Sequence, residues 1–325
     1  MLFGSDNISG VCPEVMDAIL SVNVGTASSY GNDAATEMMN ATFNEFFETP
    51  VTAFPVFTGT TANALSVAAL CPSWGAVFCH ESSHLAVDEC GAPEFYTGGA
   101  KLVTLPGQHA KIDVTSLKAS ISSLHVGNPH EVQPAVISIT QINEAGVTYS
   151  LDQIREFADI AHESGLYLHI DGSRFANACV ALDCSPAEMT WQCGADAMSF
   201  GASKNGAMCA EAVVFFREEL AQGFMYRHKR GGHLLAKMRF ISIQLETYMR
   251  NEVWHRNAAH ANAMAKRLSR GLELLPGIEL SHKTEGNLVF VKFSEAIRQR
   301  LGQNGYEAYA GQPRTRLAAS FDTSV

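Results

Sequence analysis

The chain has 325 residues, which is long for one simple domain and suits a large domain with a smaller one. Hydrophobic residues make up 46% of it and charged residues only 17%, a balance that supports a substantial core and excludes a disordered chain. The formal net charge of −10 argues against nucleic acid or an anionic membrane surface as a general partner.

The N-terminal segment and the cysteines bear on where the protein works. Residues 1–6 lack a basic region followed by a long apolar stretch, so no signal peptide is predicted, and no apolar run elsewhere is long enough to span a bilayer. The eight cysteines form no CxxC pair and stand among apolar or small residues, which favours buried free thiols in a reducing cytosol over disulfides or a zinc site. The sequence therefore predicts a soluble cytoplasmic protein without a metal site.

From about residue 50 onward, short apolar runs alternate with amphipathic stretches. The runs that predict strands are Thr52–Phe57, Ala76–Cys79, Leu102–Leu105, Ala135–Thr140, Tyr167–Ile170, Ala197–Phe200 and Ala212–Phe216. Helices are predicted between several of these strands, most clearly at Leu151–Ser164, whose apolar residues fall on one helical face. Strands that alternate with helices imply an α/β fold, with a mostly parallel sheet covered on both sides.

The pattern changes after Gly232. A long helix is predicted from Leu234 to about Arg270, and strands are predicted at Gly277–Leu280 and Asn287–Phe293. We therefore divide the chain into an N-terminal segment with a large domain, residues 1–235, and a smaller C-terminal domain, residues 236–325.

The first candidate binding element follows the first of these strands. Thr58-Gly-Thr-Thr-Ala-Asn63 opens a helical run, and the backbone N–H groups at such a start, with the Thr60 hydroxyl, can hold a phosphate. An ordinary threonine cap after a glycine turn explains the same residues. On this fragment alone the ordinary cap is favoured.

Two histidines follow the next strand, in Cys79-His-Glu-Ser-Ser-His84. An imidazole here could stack on a flat cofactor ring and move protons, because its unperturbed pKa lies near neutrality. His84 and His80 are equally good candidates on spacing alone. A surface or hydrogen-bonded histidine is the ordinary interpretation of either.

A carboxylate and a lysine stand at the ends of two later strands. Asp171 lies in Leu168-His-Ile-Asp-Gly-Ser-Arg174, and Lys204 lies in Ser199-Phe-Gly-Ala-Ser-Lys-Asn-Gly206. In α/β folds, ligands bind outside the carboxyl ends of the strands. A lysine there can form a Schiff base with pyridoxal 5′-phosphate (PLP), and a carboxylate can keep the pyridine nitrogen protonated. Taken alone, Asp171 could cap a turn and Lys204 could be an exposed loop residue, but the pair in this order predicts a PLP site.

The most basic run of this acidic chain is Tyr226–Arg239. A solvated helix face is the ordinary interpretation, and a source of cations for a phosphate is the functional one. No GxGxxG fingerprint follows the first strand, so a nicotinamide-dependent dehydrogenase is poorly supported.

Taken in order, these motifs resemble the PLP-dependent threonine aldolases of the β-eliminating-lyase group, and especially the bacterial low-specificity L-threonine aldolases. The segments that carry the resemblance are Ser5–Asn7, Tyr30–Asp33, Gly59–Asn63, His84, Asp88–Glu94, Asp171–Arg174, Ser203–Gly206, Lys237–Phe240 and Arg316. They span essentially the whole chain, and the ungapped run Asp88–Glu94 argues against a chance match. The resemblance implies an aspartate aminotransferase-like, fold-type I PLP enzyme with a smaller C-terminal α+β domain. Because that family usually continues through a final helix, the small domain is expected to be incomplete at its end.

The resemblance also implies roles for individual residues. For the cofactor, it implies that Lys204 forms the Schiff base, Asp171 pairs with the pyridine nitrogen, His84 stacks on the ring, Gly59 and Thr60 hold the phosphate, and Arg174 lies near the phenolic oxygen. For the substrate, it implies that Ser5 and Arg316 grip the carboxylate, with Arg174 nearby. Arg316 is preferred to Arg314 because Leu-Ala-Ala-Ser-Phe-Asp322 continues the family pattern. Lys237 is expected to reach the PLP phosphate of a neighbouring chain, in a homodimer or homotetramer with shared active sites.

The implied reaction is aldol cleavage of L-β-hydroxy-α-amino acids to glycine and an aldehyde, with Lys204, His84 and Asp171 as the catalytic residues. L-threonine, L-allo-threonine and phenylserine all fit. Another PLP-dependent lyase or racemase of the same fold is the nearest alternative. A catalytically silent PLP-binding module is the alternative from another class, and the complete set of Lys, Asp, His and Arg residues argues against it. The sequence leaves open which group takes the proton of the β-hydroxyl.

Overall fold

The computed structural model describes residues 2–311 and 314–324. Its strands are β1 (Leu2–Phe3), β2 (Thr52–Val56), β3 (Gly75–His80), β4 (Lys101–Leu105), β5 (Gln133–Thr140), β6 (Tyr167–Gly172), β7 (Ala197–Gly201), β8 (Glu211–Phe215), β9 (Glu279–Leu280), β10 (Leu288–Lys292), β11 (Glu307–Gly311) and β12 (Arg314–Ala318). Its helices are α1 (Pro13–Ser21), α2 (Ala34–Phe46), α3 (Gly59–Leu70), α4 (His84–Val87), α5 (Ala92–Thr97), α6 (Val114–Ser122), α7 (Leu151–Glu163), α8 (Phe175–Leu182), α9 (Pro186–Met189), α10 (Phe224–Arg230), α11 (Arg239–Met249), α12 (Val253–Glu273) and α13 (Glu295–Gln303). Every strand predicted from the sequence is present, with its ends displaced by at most two residues.

Seven strands form the large sheet, in the order β2-β8-β7-β6-β5-β3-β4. The strands from β7 to β4 in this order are parallel, and β8 runs antiparallel to both β2 and β7. All residues of β3, β7 and β8 are buried. They are buried because helices cover both faces, with α3 on one side and α7 on the other. These features confirm the predicted α/β fold.

A second sheet contains five strands in the order β1-β11-β12-β10-β9. The N-terminal strand β1 pairs parallel with β11, and the remaining pairs are antiparallel. The helix α12 contacts both α8, beside the large sheet, and β10 in the second sheet. The predicted division of the chain near residue 235 stays a prediction.

The continuous helix predicted from Leu234 to Arg270 is wrong. Two helices, α11 and α12, occupy this stretch, and a turn separates them in which Asn251 (φ 51°) and Glu252 (φ 56°) are left-handed. Asparagine tolerates this conformation better than most residues, which suits the break. The helix α11 packs against α1 and α2, whereas α12 packs against α8 and β10. The turn therefore lets each helix bury its apolar face against a different partner.

The eight cysteines are free thiols. Five are buried, but Cys184 and Cys209 are partly exposed and Cys90 is exposed, so the prediction of buried thiols is wrong for Cys90. In the described part of the chain, no helix combines the length and the hydropathy needed to cross a membrane. The same residues contain no group of three His, Cys, Asp or Glu side chains placed to hold a metal ion.

Candidate active site

A cavity of about 650 Å³ lies where the carboxyl ends of β3, β5, β6 and β7 face the second sheet. It is lined by Ser5, Asn7, Ser82, His84, Asp88, Thr140, Ile142, Glu144, Asp171, Ser173, Arg174, Lys204, Leu288, Phe290, Arg314 and Arg316. An adjoining cavity of about 280 Å³ is lined by Asn7, Phe57, Thr58, Gly59, Thr60, His84, Ser173, Ser203, Lys204, Met208, Cys209 and Glu211. The structure therefore gathers most of the predicted site residues at one edge of the large sheet, the edge where parallel strands end.

Asp171 lies near the end of β6 and its carboxylate is buried. Its Oδ1 accepts hydrogen bonds from the Ser173 hydroxyl (2.6 Å) and the Ser173 backbone N–H (3.0 Å), and its Oδ2 accepts one from Asn63 Nδ2 (2.9 Å). Burial acts to raise the pKa of Asp171, but these hydrogen bonds and the charge of Lys204 hold it below the usual value. The site therefore contains a buried carboxylate that stays negative at neutral pH.

Lys204 lies in the turn that follows β7, and the residues after it fix that turn. Asn205 Nδ2 donates to the Tyr248 hydroxyl (2.7 Å) and to the backbone carbonyl of Trp254 (2.8 Å). Gly206 has a φ of 118°, and a Cβ at this position would lie 2.8 Å from Asn257 Nδ2, so glycine suits both the backbone and the space. Burial, together with the nearby Arg174 guanidinium, lowers the pKa of the Lys204 amine. A lowered pKa favours the neutral amine, which is the nucleophilic form.

His84 is the first residue of α4, and its ring lines both cavities. Its Nδ1 lies 2.9 Å from Glu89 Oε1, and its backbone N–H donates to Glu144 Oε1 (2.8 Å). The hydrogen bond with Glu89 raises the pKa of His84, against the effect of burial. His80, the alternative from the sequence, is the last residue of β3 and contacts the Ser82 side chain and the Gly107 carbonyl, and it lines neither of the two cavities.

Arg174 forms a bidentate ion pair with Asp6. Its Nε donates to Asp6 Oδ2 (2.7 Å) and its Nη2 donates to Asp6 Oδ1 (2.9 Å). Asn287 Nδ2 donates to the same carboxylate (2.9 Å). Burial acts to raise the pKa of Asp6, but Arg174 holds it at about 2. Asp6 therefore fixes the plane of the guanidinium that lines the cavity.

Ser5 and Arg316 reach the large cavity from opposite ends of the chain. Ser5 accepts the backbone N–H of Asn7 (3.1 Å), and Arg316, on β12, donates from Nη2 to the Gly4 carbonyl (3.1 Å). Arg314 lines the same cavity, where its Nη1 lies 2.6 Å from His282 Nε2. Both arginines are therefore near the site, and Arg316 is the one tied to the segment that carries Ser5.

Gly59 and Thr60 form the first turn of α3 and line the small cavity with Ser203. Thr58 caps this helix, because its side chain accepts the backbone N–H of Thr61 (3.2 Å). The ordinary cap and an anion site are compatible here. The first N–H groups of any helix lack intrahelical acceptors, and those of Gly59 and Thr60 lie at the positive end of the helix dipole.

Lys237 does not join the other predicted residues. It is exposed in the segment between α10 and α11, and it lines neither of the two cavities. Nearby, the Tyr30 backbone N–H donates to the Ala236 carbonyl (3.2 Å), and Tyr30 shares a third cavity with Met225 and Met238.

Sequence reasoning missed three residues that hold the site together. Asp6 pairs with Arg174, Asn63 donates to Asp171, and Glu89 accepts from both Asn63 Nδ2 (2.8 Å) and His84. All three lie inside segments that carry the family resemblance, and that position is the feature of the sequence by which they could have been found. Their partners lie more than twenty residues away or across a turn, which spacing alone does not reveal.

Comparison with protein-family models matches residues 3–295 to the beta-eliminating lyase family. Two curated relatives, both low specificity L-threonine aldolases, are similar over nearly the full length. The Pseudomonas sp. (strain NCIMB 10558) protein is 40% identical, across 99% of this chain and 93% of its own length. The Pseudomonas aeruginosa protein is 39% identical, with the same coverage of both chains.

Solved structures share the architecture. The Leishmania major threonine aldolase superimposes with a TM-score of 0.92 at 26% identity, over 99% of this chain and 95% of that one. The serine palmitoyltransferase of Sphingomonas wittichii superimposes with a TM-score of 0.73 at 16% identity, over 100% and 83%. At that identity the second likeness shows the fold alone.

Proposed function

The chain belongs to the beta-eliminating lyase family, and we propose that it is a PLP-dependent aldolase that cleaves L-β-hydroxy-α-amino acids, such as L-threonine, to glycine and an aldehyde. One observation of the structure carries this proposal: Lys204, Asp171 and His84 line one cavity at the carboxyl edge of the sheet. The curated relatives that match over nearly their whole length are named for the same activity on L-threonine.

The chemistry of the side chains in the two cavities fits PLP. Lys204 would attach the cofactor through its amine, and the buried Asp171 carboxylate would hold a proton on the pyridine nitrogen. The first N–H groups of α3, at Gly59 and Thr60, would bind the phosphate in the small cavity. His84 lines both cavities and would stack on the ring. When bound, PLP supplies an electron sink for the bond that breaks at Cα.

The remaining residues decide which bond breaks. Ser5 and Arg316 line the cavity and would hold the substrate carboxylate, which would limit rotation of the substrate and so select the bond at Cα that breaks. Arg174, whose guanidinium is oriented by Asp6, would add a second cation beside that carboxylate. His84, which lines both cavities, would exchange a proton with the β-hydroxyl as the Cα–Cβ bond breaks.

Product analysis tests the proposal. The purified protein with PLP should release glycine and acetaldehyde in equal amounts from L-threonine or L-allo-threonine, and benzaldehyde from phenylserine. Release of an α-keto acid would identify a β-eliminating reaction instead, and formation of D-allo-threonine from L-threonine, or of D-threonine from L-allo-threonine, would identify a racemase. A protein that binds PLP and releases no product would be a binding module.

Replacing Arg316 should impair substrate binding more than cofactor binding. We expect Arg316→Ala to raise the KM for L-threonine by about 100-fold, since a charge-assisted pair to a carboxylate contributes about 3 kcal/mol, with little change in the visible spectrum. Steady-state kinetics and absorbance measure the two effects. Arg314→Ala is the matched control on the same strand, and a larger effect at Arg314 would show that it is the arginine that grips the carboxylate.

We also propose that the protein is a homodimer or homotetramer with shared active sites, in which Lys237 reaches the PLP phosphate of the neighbouring chain. Exposed apolar side chains near Lys237 support an interface there, since Tyr30, Met225 and Tyr226 are 47%, 59% and 67% exposed. The free thiols, including the exposed Cys90, support a reducing cytoplasmic location.

Complementation tests the shared site. Lys204→Ala and Lys237→Ala chains should each be inactive alone, and their mixture should recover part of the activity, because a hybrid dimer contains one site with both lysines. Mass measurements must show that the subunits exchange. Exchange without recovered activity would place Lys237 outside the neighbour's site.

A further inference from the structure

A buried carboxylate that the proposed reaction does not use lies directly behind His84. The Glu89 side chain has no solvent exposure, and its Oε1 lies 2.9 Å from His84 Nδ1 and 2.8 Å from Asn63 Nδ2. Its Oε2 is also buried, without a hydrogen-bond partner among the described residues. A carboxylate removed from water in this way costs free energy, and a buried apolar or amide side chain would avoid much of that cost.

The contact with Glu89 decides how the His84 ring can work. Burial raises the pKa of Glu89, and the hydrogen bonds with His84 and Asn63 oppose that rise by favouring the ionised form. The ionised carboxylate accepts hydrogen bonds and cannot donate them, so with Glu89 ionised His84 Nδ1 carries the hydrogen. The neutral ring then has its lone pair on Nε2. The His84 side chain is 39% exposed and lines both cavities, and the described residues offer Nε2 no hydrogen-bond partner. Nε2 is therefore the ring nitrogen left to exchange a proton with a ligand.

Glu89 also connects His84 to the carboxylate at the floor of the site. Asn63 Nδ2 donates to Glu89 Oε1 and to Asp171 Oδ2 (2.9 Å). One amide group thus orients both carboxylates and separates two like charges. The two carboxylates therefore have different neighbours. Glu89 contacts the His84 imidazole, and Asp171 faces the cavity that would hold the pyridine ring.

From these contacts we infer that Glu89 is a positioning residue, which fixes the tautomer of His84 and stabilises its positive charge after Nε2 accepts a proton from the β-hydroxyl of the substrate. The inference rests on the proposed function for the identity of that proton. No step requires Glu89 to lose or gain a proton. It acts through His84, in the way that a buried carboxylate orients an imidazole in other proton-transferring sites.

The surroundings of His84 give the sign of the expected pH dependence. The charged groups that shift the pKa of the His84 ring are Glu89, Asp171 and Lys204. Glu144 accepts a hydrogen bond from the backbone N–H of His84. Glu89 and Asp171 raise the pKa of His84, whereas burial and Lys204 lower it, and the net shift is upward. A protonated ring cannot accept a proton, so activity should fall as the pH falls through this raised pKa.

Glu89→Gln separates charge from shape, because an amide oxygen can still accept from His84 and Asn63. In the holoenzyme we expect the titration midpoint of His84, followed by NMR of 13C-labelled histidine and assigned with His84→Asn, to move to lower pH. The acidic limb of kcat/KM for L-threonine should move with it, and kcat should fall about 10- to 100-fold with little change in KM. Exchange of the glycine α-proton with D2O should continue in Glu89→Gln. Glycine has no β-hydroxyl, so this exchange does not need proton transfer from that group, and the Asp171 charge is still present.

Glu144→Gln is the matched control, since it removes a carboxyl group that lines the cavity and accepts a hydrogen bond from the backbone N–H of His84 rather than from its ring. Burial raises the pKa of Glu144 to about 7, so the same variant shows whether Glu144 rather than His84 gives the acidic limb. An unchanged His84 midpoint in Glu89→Gln, or an equal shift in Glu144→Gln, would overturn the inference. If Glu89→Gln does not fold, the parent enzyme still decides, because a His84 midpoint at or below about 6.5 would contradict a stabilising charge at Nδ1. A parent enzyme that does not cleave L-threonine would refute the proposed function, while the NMR midpoint would still test the contact with Glu89.

Discussion

Lys204→Ala is expected to abolish turnover of L-threonine, with a fall of more than about 10⁴-fold, equivalent to about 5.5 kcal/mol of barrier. Lys204 supplies the only amine of the described residues that line the two cavities. Without it, no side chain there can form a Schiff base with PLP. The yellow colour of the bound cofactor should change, and borohydride should no longer fix the cofactor to the chain.

Lys204→Arg is the matched control, because it keeps a positive charge in the same turn and removes the amine. Arginine does not lose its proton in proteins, so this variant should be as inactive as the alanine variant. Circular dichroism should show both variants folded, since the turn is held by Asn205 and Gly206 rather than by the lysine side chain. Borohydride labelling that survives in Lys204→Ala would mean that another residue binds the cofactor.

The sequence could predict the sheet and the two central residues because both depend on local patterns. An apolar run bounded by glycine predicts a strand wherever it lies, and parallel strands place their carboxyl ends at one edge. Asp171 and Lys204 each follow such a run, so their common location needed no knowledge of distant contacts. The threonine cap of α3 is local for the same reason.

Contacts between distant segments could not be predicted in the same way. Asp6 meets Arg174 because the N-terminal segment joins the edge of the second sheet, where β1 pairs with β11. The break between α11 and α12 depends on which surfaces the two helices pack against, and helical periodicity continues across it. The choice of His84 over His80 depended on side-chain direction, because one histidine begins a helix and the other is the last residue of a strand.

Asp171→Asn is expected to retain the fold and the cofactor but to lower kcat about 1,000-fold, equivalent to about 4 kcal/mol. Asparagine has nearly the same size, and its oxygen can still accept from Ser173. An amide carries no charge, however, and cannot stabilise a proton on the pyridine nitrogen, so the cofactor becomes a weaker electron sink. Single-turnover kinetics with L-threonine would measure the loss at the chemical step.

Ser173→Ala provides the control for this result, because it removes the 2.6 Å hydrogen bond to Asp171 but keeps the carboxylate. Its loss should raise the pKa of Asp171, yet Asn63, the Ser173 backbone N–H and the Lys204 charge still favour the ionised form. We therefore expect a loss of less than about tenfold, in line with one hydrogen bond. If Asp171→Asn lost no more activity than Ser173→Ala, the negative charge would have no special role, and Asp171 would serve only to shape the floor of the site.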